Sequence, residues 1–157
     1  MGIIPIGGNM AVVYKEPFDK KLRGDEFGNL APYRNGKPHR GQDWHPAENT
    51  VIPAMSDAKV HNIFWSDVLG NVVEVVDADG VYSQYCHLAK KPENIKKGDL
   101  IKLGQPVGRT GGGPNTPSGS ASTGSHLHVG MSKVPNGHLA PYDKLINPLT
   151  YITKHKG

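Results

Sequence analysis

Residues 71–88 read NVVEVVDADGVYSQYCHL and decide the fold class of this 157-residue chain. The run Asn71–Val76 is rich in β-branched residues and too short for a typical helix, and Val81–Leu88 is a second run of strand character. Asp79-Gly80 stands between the two runs, and this dipeptide is a hairpin signal because it tolerates the backbone of a tight turn. The stretch therefore predicts two antiparallel neighbouring strands.

The flanking sequence extends this prediction to the whole chain. Residues 50–64 have strand character, and the pieces after Leu88 are joined by tight turns at Lys97-Gly98-Asp99 and Leu103-Gly104-Gln105. The 20 glycines and 13 prolines favour many short elements, and no long segment has a helical period. We expect an all-β, mainly antiparallel β-sandwich, with residues 1–157 forming one domain. The residues before about Pro38 are predicted to be loops that cover one end.

Composition excludes several classes of protein. The net charge is +4, but the basic residues are scattered, so a nucleic-acid surface is not expected. An anionic matrix such as a bacterial wall is compatible with that charge. No apolar run approaches the roughly 18 residues of a membrane span, and the N-terminus lacks a basic segment, so we expect cytoplasmic synthesis without a signal peptide. The single cysteine, Cys86, excludes an internal disulfide and a cysteine zinc cluster.

Two histidine motifs carry the chemistry of the chain. His126 and His128 are separated by one residue, so on a strand their side chains point to one face. One of them can bind a metal while the other faces what the metal holds. His39 and Asp43 would lie about 13 Å apart on a straight strand, so they can share an ion only if the backbone bends, and Gly41 allows a bend. Imidazole and carboxylate together suit a divalent ion such as zinc.

The order of the motifs resembles that of the LytM/lysostaphin-type zinc endopeptidases, which cleave peptides in bacterial peptidoglycan. The resemblance runs from about residue 27 to residue 150. It is carried by these segments: His39-Arg40-Gly41-Gln42-Asp43, Val51-Ile52-Pro53-Ala54, Gly70-Asn71-Val72-Val73, Tyr85-Cys86-His87-Leu88, Lys97-Gly98-Asp99, Leu103–Gly108 and Gly124-Ser125-His126-Leu127-His128.

The resemblance implies a role for each of five residues. The ligands of one zinc ion would be His39, Asp43 and His128, which leaves a coordination position open for catalysis. His126 and His87 would not bind the metal. They would face the attacking water, transfer protons and stabilise the developing oxyanion.

Three features depart from the family pattern or border the predicted groove. Val129 and Gly130 stand where the family usually has an aromatic and an acidic residue, which affects the shape of the groove. The Gly- and Ser-rich segment Gly111–Ser125 is long, and we interpret it as a mobile loop beside the site rather than a linker. We expect His138, like His61 and His155, to be a surface or hydrogen-bonded histidine, and a place at the border of the groove stays open because its stretch is rich in turns.

Other residues near the motifs offer alternative interpretations. Cys86 beside His87 suggests a thiol protease, but strand neighbours point to opposite faces, so we expect a buried structural cysteine that points away from His87. Tyr85 is predicted to share a face with His87, where it either contacts substrate or packs. His45 is a competing candidate ligand, and Trp44 is predicted to pack and fix the backbone of Asp43.

Three classes of function follow. The leading one is a zinc endopeptidase that hydrolyses peptidoglycan stem peptides or cross-bridges, acting as a phage-encoded lysin or a virion-associated enzyme. The second is a catalytically silent module of the same fold that binds or regulates other wall enzymes. The third is a phosphocarrier similar to the IIA proteins of sugar phosphotransferase systems, which gives Asp43 no role. The scissile bond stays open, because the family cleaves both glycine bridges and D-Ala-to-diamino-acid cross-links.

Overall fold

The computed structural model describes residues 12–112 and 124–157. Within these residues there are nine strands and one α-helix: β1 (Gln42–Trp44), β2 (Val51–Pro53), β3 (Ala58–Ser66), β4 (Gly70–Val76), β5 (Tyr82–Leu88), β6 (Leu100–Ile101), β7 (Pro106–Arg109), β8 (Leu127–Ser132), β9 (Leu145–Ile146) and α1 (Pro148–Lys154). Short 3-10 turns occupy Lys20–Leu22, Pro32–Arg34, Gly137–Leu139 and Tyr142–Lys144. None of the helices described is long and apolar enough to cross a bilayer.

The strands form one large and one small sheet, and all their pairings are antiparallel. In the large sheet the order is β1-β8-β5-β4-β3-β6, and β9 also pairs with β8. The small sheet consists of β2 and β7. This architecture confirms the prediction of a mainly antiparallel β fold. The small sheet contributes Ile52 and Val107 to the same buried cluster that holds Val73, Tyr85 and Val129 of the large sheet.

The hairpin of β4 and β5 was predicted correctly. Gly80 adopts a positive φ of 81° in its turn. The Asp77 carboxylate accepts hydrogen bonds from the backbone N–H of Asp79 (2.9 Å) and of Val81 (3.0 Å). These bonds replace ladder hydrogen bonds at the point where the chain reverses. The hairpin places β5 between β4 and β8 at the centre of the large sheet.

Strand β5 departs from simple alternation near its end. Its pairing with β4 shifts register between Asn71 and Val73, and His87 has a positive φ of 64°. Tyr85 lies in the core, where its hydroxyl accepts a hydrogen bond from the Met55 N–H. The prediction that Tyr85 shares a face with His87 is therefore wrong, because the left-handed backbone turns His87 out of the alternation.

Candidate metal centre

The segment from His39 to Asp43 bends at Gly41, as the spacing required. The bend brings His39 Nε2 to 3.4 Å from Asp43 Oδ1. A second constraint acts on Gly41, since a Cβ there would lie 2.2 Å from the Val129 carbonyl oxygen and 2.8 Å from the His128 ring. Glycine is needed at this position because β1 approaches β8 too closely for any side chain.

The residues that precede this segment hold both of its candidate ligands. The Asp43 N–H donates to the Asp25 carbonyl at 3.0 Å, and the His39 N–H donates to the Asn29 carbonyl at 2.9 Å. His39 Nδ1 lies 3.1 Å from the Glu26 carbonyl oxygen, which only accepts, so Nδ1 carries the proton. Nε2 of His39 is then left with its lone pair facing Asp43 and His128. Residues 24–29, which were predicted to be a covering loop, thus position the ligands.

His128 completes the cluster from the neighbouring strand. In the β1–β8 ladder it lies opposite Asp43, and its Nδ1 is 2.9 Å from Asp43 Oδ1 and 3.2 Å from His39 Nε2. Tetrahedral zinc with bonds of about 2.0–2.2 Å separates its ligand atoms by about 3.3–3.6 Å. The 3.4 Å between His39 Nε2 and Asp43 Oδ1 lies in this range, and His128 Nδ1 would have to move outward by only a few tenths of an ångström for the three side chains to hold a zinc ion. Among the described residues, these three bring their ligand atoms within 4.8 Å of one another, as a shared metal ion requires.

The electrostatics of the cluster favour a bound cation. Asp43 is 7% exposed and His39 is 4% exposed. Burial by itself would raise the pKa of Asp43, but the adjacent imidazoles of His128, which is hydrogen-bonded to the carboxylate, and of His39 outweigh burial and hold the pKa well below its ordinary value. A buried carboxylate is thus kept charged beside two imidazoles, and a divalent ion would compensate that charge.

His87 and His126 lie beside the cluster without joining it. Their ring centroids are 4.6 Å apart, and His126 Nε2 lies 4.0 Å from Asp43 Oδ1. Burial, reinforced by the neighbouring histidines, lowers the pKa of His87 to about 3, and burial also lowers the pKa of His126. Both rings are therefore neutral near pH 7 and able to accept a proton. His87 Nδ1 is buried and has no hydrogen-bond partner among the described residues.

Cys86 is a buried free cysteine, as predicted. It does not point away from His87, however, and both residues line the same cleft. The expectation was wrong because the left-handed conformation of His87 breaks the alternation on which it rested. Burial raises the pKa of the Cys86 thiol far above its ordinary value, and the charges of Asp43 and Glu74 add to this effect. A thiol in this state is a poor nucleophile.

His45 was the competing candidate for a metal ligand. Its ring lies 5.5 Å from that of His126 along the cleft, but it is not part of the converging group. Trp44 is fully buried, and its Nε1–H donates to the Glu16 carboxylate at 2.8 Å, in agreement with its predicted packing role.

The cluster lies in a cleft of about 1020 Å³. Alternate residues of β5 and β8 (Gln84, Cys86, His128 and Gly130) line it, as do the segments around Tyr33, Leu69 and Leu139. The predicted loop Gly111–Ser125 is not described between residues 113 and 123, so its predicted role stays a prediction. Its described ends meet, because Gly111 pairs with His126.

Sequence reasoning missed a buried polar network next to this cleft. Glu74 of β4 is fully buried, and its carboxylate accepts hydrogen bonds from Gln84 Nε2 (2.8 Å) and from the Asn136 N–H (2.9 Å) and lies 2.8 Å from His61 Nδ1. The one available signal was an acidic residue inside an apolar strand run, which has to find partners when it is buried. Those partners are 10 to 62 residues away along the chain.

A β-sheet cleft that brings together His39, Asp43 and His128, with two neutral histidines beside them, is typical of metal-dependent hydrolases. Residues 37–147 match Peptidase family M23, and the chain belongs to this family. This membership fits the predicted LytM/lysostaphin type, and it leaves the phosphocarrier alternative without support.

The chain is also similar in sequence and in structure to individual known proteins. Over 108 residues the chain is 38% identical to the glycyl-glycine endopeptidase ALE-1 of Staphylococcus capitis, a match that covers 68% of this chain and 28% of ALE-1. The chain thus spans less than a third of that relative. The structure of LytU superposes with a TM-score of 0.71 at 25% identity, over 90% of each chain. A mutant catalytic domain of EnpA, a prophage-encoded M23 protein of Enterococcus faecalis, gives a TM-score of 0.66 at 30% identity, over 95% of this chain and 97% of that one.

Proposed function

We propose that this chain is a zinc-dependent endopeptidase that hydrolyses peptide cross-links of bacterial peptidoglycan. The observation that carries the proposal is the convergence of His39, Asp43 and His128 on one point, with His87 and His126 beside it. Membership of family M23 supports the reaction class, and the name of ALE-1, a glycyl-glycine endopeptidase, supports glycine bridges as substrates. The likeness to the peptidoglycan DD-endopeptidase ShyC of Vibrio cholerae, 32% identical over 92 residues, supports peptidoglycan as their source.

The residues of the chain divide the work of hydrolysis between them. His39 Nε2, Asp43 Oδ1 and His128 Nδ1 would hold the zinc, which supplies Lewis-acid chemistry when it is bound. Burial lowers the pKa of His87 and of His126 and keeps both rings neutral, so each has a free lone pair that can accept a proton from water as it attacks the peptide carbonyl. A ring that has taken this proton can donate a hydrogen bond to the oxyanion or pass the proton to the leaving amine.

Peptidoglycans of different cross-link chemistry test this function. The zinc-loaded chain is incubated with purified walls that carry glycine bridges and with walls that carry D-Ala-to-diamino-acid cross-links, and the new amino termini are identified. New termini that appear with zinc and vanish after chelation support the proposal. A protein that holds zinc and binds the wall but releases no amino termini is instead the catalytically silent module.

The likeness to prophage-encoded EnpA supports a finer proposal, namely a phage-encoded lysin or a virion-associated enzyme. Mass spectrometry of purified virions from lysogens that carry the gene separates these two roles. Presence of the chain in virions favours the virion-associated enzyme, and presence only in the lysate favours the lysin. Detection in uninfected cells without any prophage contradicts both roles.

A further inference from the structure

His138 is a residue of the cleft wall for which the proposed chemistry has no role. It lies in the Gly137–Leu139 turn, and its ring stacks on Phe64 of β3 with centroids 4.9 Å apart and planes inclined by 29°. The residue lines the cleft, yet its Nδ1 is buried and has no hydrogen-bond partner among the described residues. A stacked ring with one buried nitrogen has only its other nitrogen, Nε2, left for a ligand.

The protonation state of His138 follows from this environment. Burial lowers the pKa of its imidazole, and the charge of Arg40 adds to that effect against the opposing charge of Glu74. The ring is therefore neutral near pH 7. A buried lone pair without a partner is tolerated better than a buried N–H without one, so the proton belongs on Nε2. His138 thus offers one hydrogen-bond donor and no charge.

The backbone that carries His138 is held from below by the buried Glu74 network. Glu74 accepts the backbone N–H of Asn136, which stands two residues before His138 with a positive φ of 56°. Ser132, at the end of β8, donates its hydroxyl to the Val134 carbonyl at 2.7 Å. These bonds fix the start of the turn to the sheet.

Arg40 holds the same turn from the side of the metal cluster. Its Nη2 donates to the carbonyl oxygens of Gly137 (3.1 Å) and Ala140. The turn packs so closely on the sheet that a Cβ on Gly137 would lie 2.4 Å from Ser132 Oγ and 2.8 Å from Gln84 Oε1. Because the backbone of this turn is fixed, His138 is already in place before a ligand binds. Little conformational entropy is then lost when it forms a hydrogen bond.

The floor of the cleft connects His138 to the candidate ligands. His128 pairs with Cys86, and Gly130 pairs with Gln84 two residues further along β8, about 6.6 Å at the rise of an extended strand. Gly130 adds no side chain to this floor, and a Cβ there would lie 2.8 Å from Gln84 Oε1. An extended peptide that places its scissile carbonyl at the cluster can therefore run along this floor to His138, because both line the same cleft.

On the basis of the proposed function, we infer that His138 binds substrate by donating a hydrogen bond from Nε2 to a main-chain carbonyl of the peptide, away from the scissile bond along the same cleft. A main-chain carbonyl is present in every cross-link, including a glycine bridge without side chains. The contact would therefore set the register and affinity of the peptide rather than select its side chains.

Two variants of the zinc-loaded full chain separate the donor from the ring. His138→Phe keeps an aromatic ring to stack on Phe64 and removes the donor, whereas His138→Gln keeps a donor and removes the ring. The substrates are a fluorogenic pentaglycine peptide and a soluble dimeric muropeptide with a D-Ala-to-diamino-acid cross-link, and kinetics are measured on the one that the wild type cleaves. We expect His138→Phe to raise KM about three- to tenfold, the effect of one lost neutral hydrogen bond, with kcat unchanged. His138→Gln should stay closer to the wild-type KM.

Each other outcome overturns the inference. An unchanged KM in His138→Phe means that the donor does not contact substrate. A fall in kcat without a change in KM places His138 in the transition state rather than in substrate binding. Equal losses in both variants, with a lower Tm or less zinc, make the residue structural. Absence of hydrolysis by the zinc-loaded wild type overturns the proposed function itself, and the inference with it.

Discussion

Replacing Gly41 by alanine should damage the metal centre as well as the stability of the fold. The new Cβ would lie 2.2 Å from the Val129 carbonyl oxygen and 2.8 Å from Cε1 and Nε2 of His128. Both separations are below any normal contact, and one involves a backbone atom, so β1 and β8 must move apart or the His128 ring must turn. Overpacking of this kind costs about 1–3 kcal/mol of stability.

The same movement would displace two of the three candidate ligands. Gly41 lies between His39 and Asp43, and the crowded ring belongs to His128, whose Nδ1 is 2.9 Å from Asp43 Oδ1. Loss of a group that orients a ligand lowers metal affinity about 10- to 100-fold. We therefore expect a fall in zinc affinity of that size for Gly41→Ala, measured by competition with a chromophoric chelator.

Gly104→Ala is the matched control for this experiment. Gly104 has a positive φ of 88° and nothing within 4 Å of a built Cβ. Alanine there costs about 1–2 kcal/mol of backbone strain without crowding any ligand. Thermal unfolding of the zinc-free proteins should show lower Tm values for both variants, by about 2–4 °C for each kcal/mol. Wild-type zinc affinity in Gly41→Ala would refute the reasoning, as would an equal loss of affinity in Gly104→Ala.

Four further predictions concern the site. The wild type should bind about one zinc, and His128→Ala should lose it on dialysis; full zinc occupancy in that variant, measured by atomic emission, would contradict the ligand assignment. His126→Ala and His87→Ala should keep the zinc and lose nearly all hydrolysis, and a variant with the wild-type rate would remove that residue from the proton-transfer pair. Cys86→Ser should retain most turnover, whereas strong loss without unfolding, checked by circular dichroism, would revive the thiol mechanism. Shortening Gly111–Ser125 by about half should lower kcat/KM on cross-linked wall at unchanged zinc content, and an unchanged kcat/KM would make the segment a spacer.

Local signals in the sequence account for much of the fold. The β4–β5 hairpin follows from an Asp-Gly dipeptide between two strand runs, and the structure adds only the supporting carboxylate of Asp77. The bend between His39 and Asp43 follows from their spacing once both are required to reach one ion. Such features depend on few neighbouring residues, so the sequence displays them directly.

The Glu74 network could not be predicted, because its partners come from distant parts of the chain. Gln84 lies in the next strand, but Asn136 is 62 residues from Glu74 along the chain, and no pattern in the sequence predicts a contact over that separation. An isolated acid in an apolar run shows only that partners must exist. Which partners they are depends on the sheet order, in which β5 separates β4 from β8.

At His87, a single backbone angle decides which side chains face the cleft. Simple alternation assigns His87 to the core face with Tyr85, and Cys86 to the face of His128, its cross-strand partner. The left-handed φ of His87 could not be predicted from the sequence, because this conformation is uncommon outside glycine and costs energy. The surrounding hydrogen bonds maintain it: the His87 N–H donates to the Leu69 carbonyl and its own carbonyl accepts the Gly111 N–H. Strain that is held in place at this residue is what brings a second neutral imidazole to within 4.6 Å of His126, so the departure from strand geometry is itself an argument that His87 acts in the cleft.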